Sequence, residues 1–326
     1  MKGILPESLA QISAVFDRLE SDDKLLKAVQ NANEWFLPDL VRQAFRAMRP
    51  WFTAKRLQAF ADKYPPAKKQ LQVGIIMAGN LPLVGLHDLL CVLLSGHTAV
   101  VKLSSKDKLL LPALVKEFPE TLPVHFVDHL APKGLDYLLA TGSDNTARYL
   151  EHSYAGLERI VRHNRFSVAI VTGRETAVEL DGLTHDILQF HGMGCRSVSA
   201  VLVPEGYDSR PLAAALDRYP ASALAPAWQQ IQSWESSLAQ MQPDSLPRTQ
   251  SLTLRSETAL VPARIGVLHL VHSPANAKLL QAAQAQIQCV VGSDQTIAFG
   301  QSQFPELEEF ADGVDVMAAL AAQANS

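Results

Sequence analysis

The sequence predicts an α/β protein of two domains, the first built on a doubly wound parallel sheet, and three observations predict it. From residue 71 onward, short β-rich runs alternate with helical stretches: VGIIMA, LVGLHDLLCVLLS, TAVVKL, then a helical pattern from about Lys106 to Phe118. A chain of 326 residues with 48% apolar residues has the material for about two cores. Its most apolar region, residues 71 to 103, is interrupted by Asn80, Pro82, His87, Asp88 and His97, so it reads as a buried strand–helix–strand unit and not as a membrane span.

Taken in order, residues 7 to 70 show helical periodicity (LAQISAVFDRL, LVRQAFRAM) punctuated by Pro38, Pro50 and Pro65-Pro66, and form a helical lead-in. After the units already named come PVHFVD, LDYLLATGS, a helix beginning near Asp144 and the strand SVAIVT at 167 to 172, which complete a nucleotide-binding domain over residues 1–182. A smaller α/β domain over 183–326 runs from a helix at 183 to 190 through Cys195 and VSAVLVP to IGVLHLV and IQCVVG. Within it, the Gln- and Ser-rich stretch 228 to 256 is expected to be a mobile or interaction-making insertion. There is no internal repeat and no low-complexity tail.

A net charge of −4 with scattered positive residues argues against nucleic acid as a partner. The N-terminal MKGILPESLAQISAVFDRLESDD meets acidic residues too early for a secretory segment and lacks the Arg-rich character of a transit peptide, so the expected location is the cytoplasm. Cys91, Cys195 and Cys289 are too few and too scattered for a disulfide framework, and no C-x-x-C pair suggests zinc, so no metal is expected.

Five features could carry chemistry. Gly192-Met193-Gly194 begins a G-x-G-x-x-G pattern that Ser197 breaks, and it precedes a strand instead of linking a strand to a helix. Its glycines fit close approach of backbone to Cys195 better than dinucleotide binding. Gly142-Ser143 follows a β-like run and opens a helix whose N–H groups could face a pyrophosphate, or Ser143 or Asp144 is simply the helix cap. Asn80 ends a strand at the edge where α/β sheets bind ligands, where its amide could donate to an oxyanion or cap the helix after Pro82. Lys102, followed by Ser104 and Ser105, suits a cofactor ribose or 2′-phosphate, or is a solvated lysine. Cys195 stands in a glycine-rich turn between His191 and Arg196, which could stabilise a thiolate, whereas Cys91 and Cys289 read as small buried hydrophobes.

In this order the pieces resemble the aldehyde dehydrogenase superfamily, most closely its acyl-CoA reductase branch, the family of the bioluminescence fatty acyl-CoA reductase. The likeness spans roughly residues 70 to 205: VGIIMAGNLPLVGLHDLLCVLLSGHTAVVKLSS, ATGSDNTARYL and QFHGMGCRSVSAVLVPEG. AFGQSQFPELEEFADGVD is similar to the same branch without assigning its residues a role. The resemblance implies an aldehyde dehydrogenase-like fold with a Rossmann-type cofactor domain and a catalytic domain. It implies Cys195 as nucleophile, Asn80 as oxyanion donor, Lys102, Ser104, Gly142 and Ser143 as cofactor-binding residues, NADPH (or NADH) as cofactor and an acyl-CoA as substrate. Where hydrolytic members place a general-base Glu, this chain reads Arg162-His163-Asn164-Arg165. Without a base to activate water, an acyl-enzyme persists until thiol attack or hydride transfer, which favours CoA-linked chemistry, with Arg162 or Arg165 meeting CoA phosphates. The chain is shorter than typical members, so a reduced catalytic domain or oligomerisation arm is expected, in a protein that can still form a homo-oligomer. The alternatives are an acyl-phosphate reductase of the same superfamily and a non-catalytic acyl- or nucleotide-binding protein.

Overall fold

A computed structural model describes residues 5–119, 121–241, 246–273 and 276–326. The first four residues of the N-terminal segment weighed above lie outside it. The chain divides into two compact units, Met1–Asn164 with Glu306–Ser326, and Arg165–Pro305.

The first unit opens with five helices: α1 (Leu5–Ala10), α2 (Ile12–Glu20), α3 (Asp23–Ala32), α4 (Pro38–Met48) and α5 (Ala54–Ala61). Local chemistry sets their starts. Asp22 accepts the Leu25 N–H, Thr53 accepts the Arg56 N–H, and Pro38 occupies the first helical position of α4. Their apolar stripes meet at Phe16, whose ring lies 5.4 Å from Phe45 and 5.0 Å from Phe52.

The chain then runs through β1 (Gln72–Ile76), α6 (Leu86–Leu94), β2 (Thr98–Lys102), α7 (Leu110–Val115), β3 (Val124–Phe126), β4 (Tyr137–Thr141), α8 (Asp144–Ser153) and β5 (Arg159–Arg162). The strands form one parallel sheet in the order β3-β2-β1-β4-β5, with Ile76 in register with Lys102 on one side and Ala140 on the other. The order reverses between β1 and β4, which makes that junction the switch point of a doubly wound sheet. α7 is shorter than expected at both ends: the Asp107 carboxylate accepts the Leu110 N–H at its start, and after Val115 the chain tightens into i→i−3 turns through Phe118.

The second unit contains β6 (Phe166–Ile170), α9 (Ala177–Leu188), β7 (Val198–Val203), α10 (Arg210–Arg218), α11 (Pro226–Gln240), β8 (Thr253–Glu257), β9 (Val267–His272), α12 (Asn276–Ala282) and β10 (Ile287–Val291). Its sheet, β10-β6-β7-β9-β8, is also wholly parallel. Two differences from the sequence expectation follow. The strand at 167–172, placed with the cofactor domain, instead pairs with β7 and β10, and the expected division at 182/183 falls within α9. The stretch 228–256 is not an irregular insertion. Apart from residues 242–245, which lie outside the described residues, it contributes most of α11 and β8, with the Trp228 indole donating to the Ser251 carbonyl at 2.9 Å.

The chain returns to the first unit with α13 (Val316–Asn325), whose Val316, Met317, Leu320 and Ala324 share one core with α6. No helix among the described residues is long and apolar enough to cross a membrane.

Candidate functional site

The carboxyl edge of the first sheet gathers five of the six expected site residues. The turn after β1 passes directly against the segment after β2: a Cβ on Gly79 would come within 2.4 Å of the Ser104 hydroxyl, and Met77 N–H donates to the Lys102 carbonyl at 3.1 Å. Ser104 accepts the Lys106 N–H at 3.2 Å through its hydroxyl. Lys102 is half-buried, and among the described residues its ammonium has no ion-pair partner. Alternation along β2 puts Lys102 on the face of Val100, the face on which Leu150 and Tyr154 of α8 pack.

Across the switch point, Gly142 closes the β4–β5 ladder through its N–H to the Arg162 carbonyl at 3.4 Å, and a Cβ there would meet the Thr146 side chain at 2.7 Å. Ser143 does cap α8, accepting the Thr146 N–H at 3.4 Å, and lies exposed at the helix start. Asn80 does not cap the helix that follows it. α6 begins at Leu86 with Gly85 at its cap position and no side-chain cap bond, and Leu83, with φ of 57°, turns the chain between them. Lys102, Ser104 and the exposed start of α8 thus all lie along the carboxyl edge of the first sheet.

Arg162 is buried and grips Asp88 with both prongs, Nη2 to Oδ1 at 2.9 Å and Nη1 to Oδ2 at 2.5 Å, with Thr141 Oγ1 at 3.5 Å. Burial opposes its charge, but the Asp88 carboxylate outweighs that and holds the guanidinium protonated. The position of the absent base therefore carries a neutralised internal pair, and Arg162 is not available to CoA phosphates. Arg165 donates to the Ile287 carbonyl at 3.2 Å inside the second unit.

The first unit also holds a thiol–imidazole–carbonyl chain: Cys91 Sγ lies 3.8 Å from His87 Nδ1, and His87 Nε2 is 2.8 Å from the Leu307 carbonyl. Burial pushes this thiol well up and this imidazole down, so the arrangement favours neutral partners over a thiolate.

Cys195 is the half-buried member of the three cysteines. It stands at the amino end of β7, so the carboxyl-edge rule that selects the first-unit residues does not select it. On its N-terminal side the chain leaves α9 through three consecutive left-handed residues, Phe190 (φ 53°), His191 (φ 59°) and Gly192 (φ 63°). For the two non-glycine residues that conformation costs roughly 1–2 kcal/mol each, and it persists only where the surroundings over-determine it.

The surroundings do so on the other side of the thiol. Ser167 donates its hydroxyl to the Cys195 carbonyl at 2.9 Å and accepts the Cys289 N–H at 3.2 Å. Ser197 donates its N–H to the Gly194 carbonyl at 3.0 Å, and its hydroxyl accepts the Gly194 N–H at 3.2 Å. Arg196 donates its Nε–H to the Ser302 carbonyl.

His191 is not the electropositive neighbour that the sequence suggests. Its ring is buried, Nε2 accepts the Ala225 N–H at 2.9 Å, and burial pulls its pKa to about 4. Ser167, Asp186, Ser197, Ser302 and Gln303, which hold the turn, were not singled out by sequence. The one signal available was a carboxylate, Asp186, inside the apolar helical run LTHDILQF.

His97 of the first unit is likewise buried with its pKa pulled to about 4. Both histidines fold neutral, while in the unfolded chain they take up protons below their ordinary value of 6.5. Stability from this source is full above pH 6.5 and is lost as pH falls toward 4. Thermal melts are expected to be level from pH 8 to 7 and to drop by a few degrees per pH unit below 6.5; a melting temperature unchanged from pH 7 to 5 would contradict this.

No family model matches the chain, and no curated protein matches it. Its fold is nonetheless that of solved aldehyde dehydrogenases. It superposes on the NAD+ complex of aldehyde dehydrogenase from Bacillus cereus with TM-score 0.62, 16% identity, and coverage of 89% of this chain and 71% of that one. An NAD-dependent benzaldehyde dehydrogenase from Corynebacterium glutamicum gives TM-score 0.65 and 11% identity, covering 90% and 77%. Proline utilization A from Bradyrhizobium japonicum gives 0.66 and 15%, covering 89% of this chain and 36% of that much longer one.

Proposed function

We propose that the protein is an NAD(P)H-dependent reductase that converts an acyl-CoA to an aldehyde through a thioester on Cys195. The observation that carries this is the seating of Cys195: a half-buried cysteine in a turn held by Ser167 and Ser197, within a fold shared with nicotinamide-dependent aldehyde dehydrogenases. In the proposed sequence the Cys195 thiolate forms a bond to the acyl carbonyl carbon, the bond from that carbon to the CoA sulfur breaks, and CoA leaves and takes up a proton. We assign Asn80 and the Cys195 N–H to the oxyanion. A bound nicotinamide supplies the hydride that reduces the thioester. The thiohemiacetal then collapses, releasing the aldehyde and returning the proton to sulfur.

Three features support reduction over oxidation to free acid and support NADPH. The 162–165 segment has no carboxylate to activate water, and Asp88, which reaches Arg162, is neutralised by it. Lys102 and Ser104 would hold the ribose side of the cofactor and Gly142 and Ser143 its pyrophosphate side. The nearest acid after β2, Asp107, is buried capping α7 and does not oppose a 2′-phosphate. The test is a spectrophotometric screen with both nicotinamides against short, medium and long acyl-CoAs and an acyl phosphate. Acyl-CoA-dependent loss of NADPH absorbance with aldehyde formation is expected. Turnover of the acyl phosphate alone, or no turnover and no acyl adduct on Cys195 by intact mass, would refute it.

A further inference from the structure

One face of α9 is built to receive a loop. Gly182 and Asp186 stand four residues apart on the helix, so they lie one above the other. At Gly182 the backbone of Phe299 passes so close that a Cβ would sit 3.0 Å from its carbonyl carbon and oxygen. One turn further on, the buried Asp186 carboxylate accepts the Gly300 N–H at 2.7 Å and the Ser302 N–H at 2.9 Å. Among the described residues Asp186 has no ion-pair partner, and a buried carboxyl held by loop amides is an expensive way to dock a loop in an interior, since apolar packing would serve stability as well.

The far side of the loop shows where that docking is felt. The Ser302 carbonyl accepts from Arg196, and Gln303 Nε2 donates to the Ser197 hydroxyl at 3.4 Å, the same hydroxyl that accepts the Gly194 N–H. The loop thus grips both residues that follow Cys195 and, through Ser197, the one before it. On the N-terminal side the turn is entered through the left-handed residues Phe190 and His191.

We infer that Asp186 is a positioning residue for Cys195, setting the thiol's location and exposure through the 299–303 loop. This rests on Cys195 being the nucleophile. Asp186→Asn keeps the shape but sets an NH2 against one of the two loop amides, losing one bond. Gly182→Ala pushes the loop away by a few tenths of an ångström while raising helix propensity, so it displaces the loop without weakening α9.

The experiment measures alkylation of each cysteine by iodoacetamide across pH 6–10, resolved by peptide mass, in the full-length wild type and both variants. The expected result is a rate at Cys195 changed by roughly tenfold or more in Asp186→Asn, by less in Gly182→Ala, with a displaced pH midpoint and with Cys91 and Cys289 still protected. Acyl-CoA-dependent kcat should fall in parallel while KM for the nicotinamide stays constant. Unchanged Cys195 kinetics in the variants overturns the inference, as does simultaneous labelling of all three cysteines, which would mean general loosening of the fold. If Asp186→Asn does not fold, Gly182→Ala decides alone. Retained turnover in Cys195→Ala, measured separately, would instead remove the nucleophile on which the inference rests.

Discussion

Cys195→Ala is expected to abolish acyl-CoA-dependent NADPH oxidation, by about a thousandfold or more, while nicotinamide binding measured by fluorescence is unchanged. The magnitude follows from covalent catalysis, in which removing the nucleophile leaves no alternative first step. Binding should survive because the proposed cofactor residues belong to the first unit, whereas Cys195 belongs to the second. The variant should also fold normally. Its contacts to Ser167, through the carbonyl, are made by backbone and persist in alanine. Turnover within tenfold of wild type would end the proposed mechanism, and loss of nicotinamide binding would show that the thiol has a structural role instead.

Arg162→Ala is expected to be the costliest of the stability changes, about 3–5 kcal/mol, read as a lowered midpoint in urea denaturation. The loss arises because removing the guanidinium leaves the Asp88 carboxyl, buried on α6, without the two hydrogen bonds that Arg162 gives it. Asp88→Asn should cost less than Arg162→Ala, since an amide can still accept from one prong. Replacing both by apolar residues, Asp88→Leu with Arg162→Met, is expected to recover most of the loss, as buried ion pairs rarely exceed well-packed apolar substitutes in net stability. An Arg162→Ala variant within 1 kcal/mol of wild type would mean that water already reaches the pair.

Much of the first sheet was legible because parallel strands buried on both faces leave apolar runs such as VGIIMA and LDYLLA in the sequence. Asn80, Lys102 and Gly142-Ser143 were legible as strand-end residues for the same reason. β5 was not, because RIVR is a short edge strand with a charge at each end, and only its last residue, Arg162, falls in the 162–165 segment that the resemblance marks. β8 was hidden in a Gln- and Ser-rich stretch, where one half-solvated edge strand leaves no apolar run. Spacing also could not show that His191 folds neutral, that Asn80 leaves the cap of α6 to Gly85, or that Arg162 turns inward to a partner 74 residues away. Each depends on which distant group arrives beside the side chain.

The return of α13 to the first unit bears on how the chain is made. During synthesis the residues of β1 to β5 emerge early, yet the helix that covers α6 is translated only after all of residues 165–305. The second unit is contiguous and can close as soon as β10 has emerged. The first must wait, holding the apolar residues of α6 partly uncovered while its neighbour folds, so the older segment of the nascent chain is the last to be sealed.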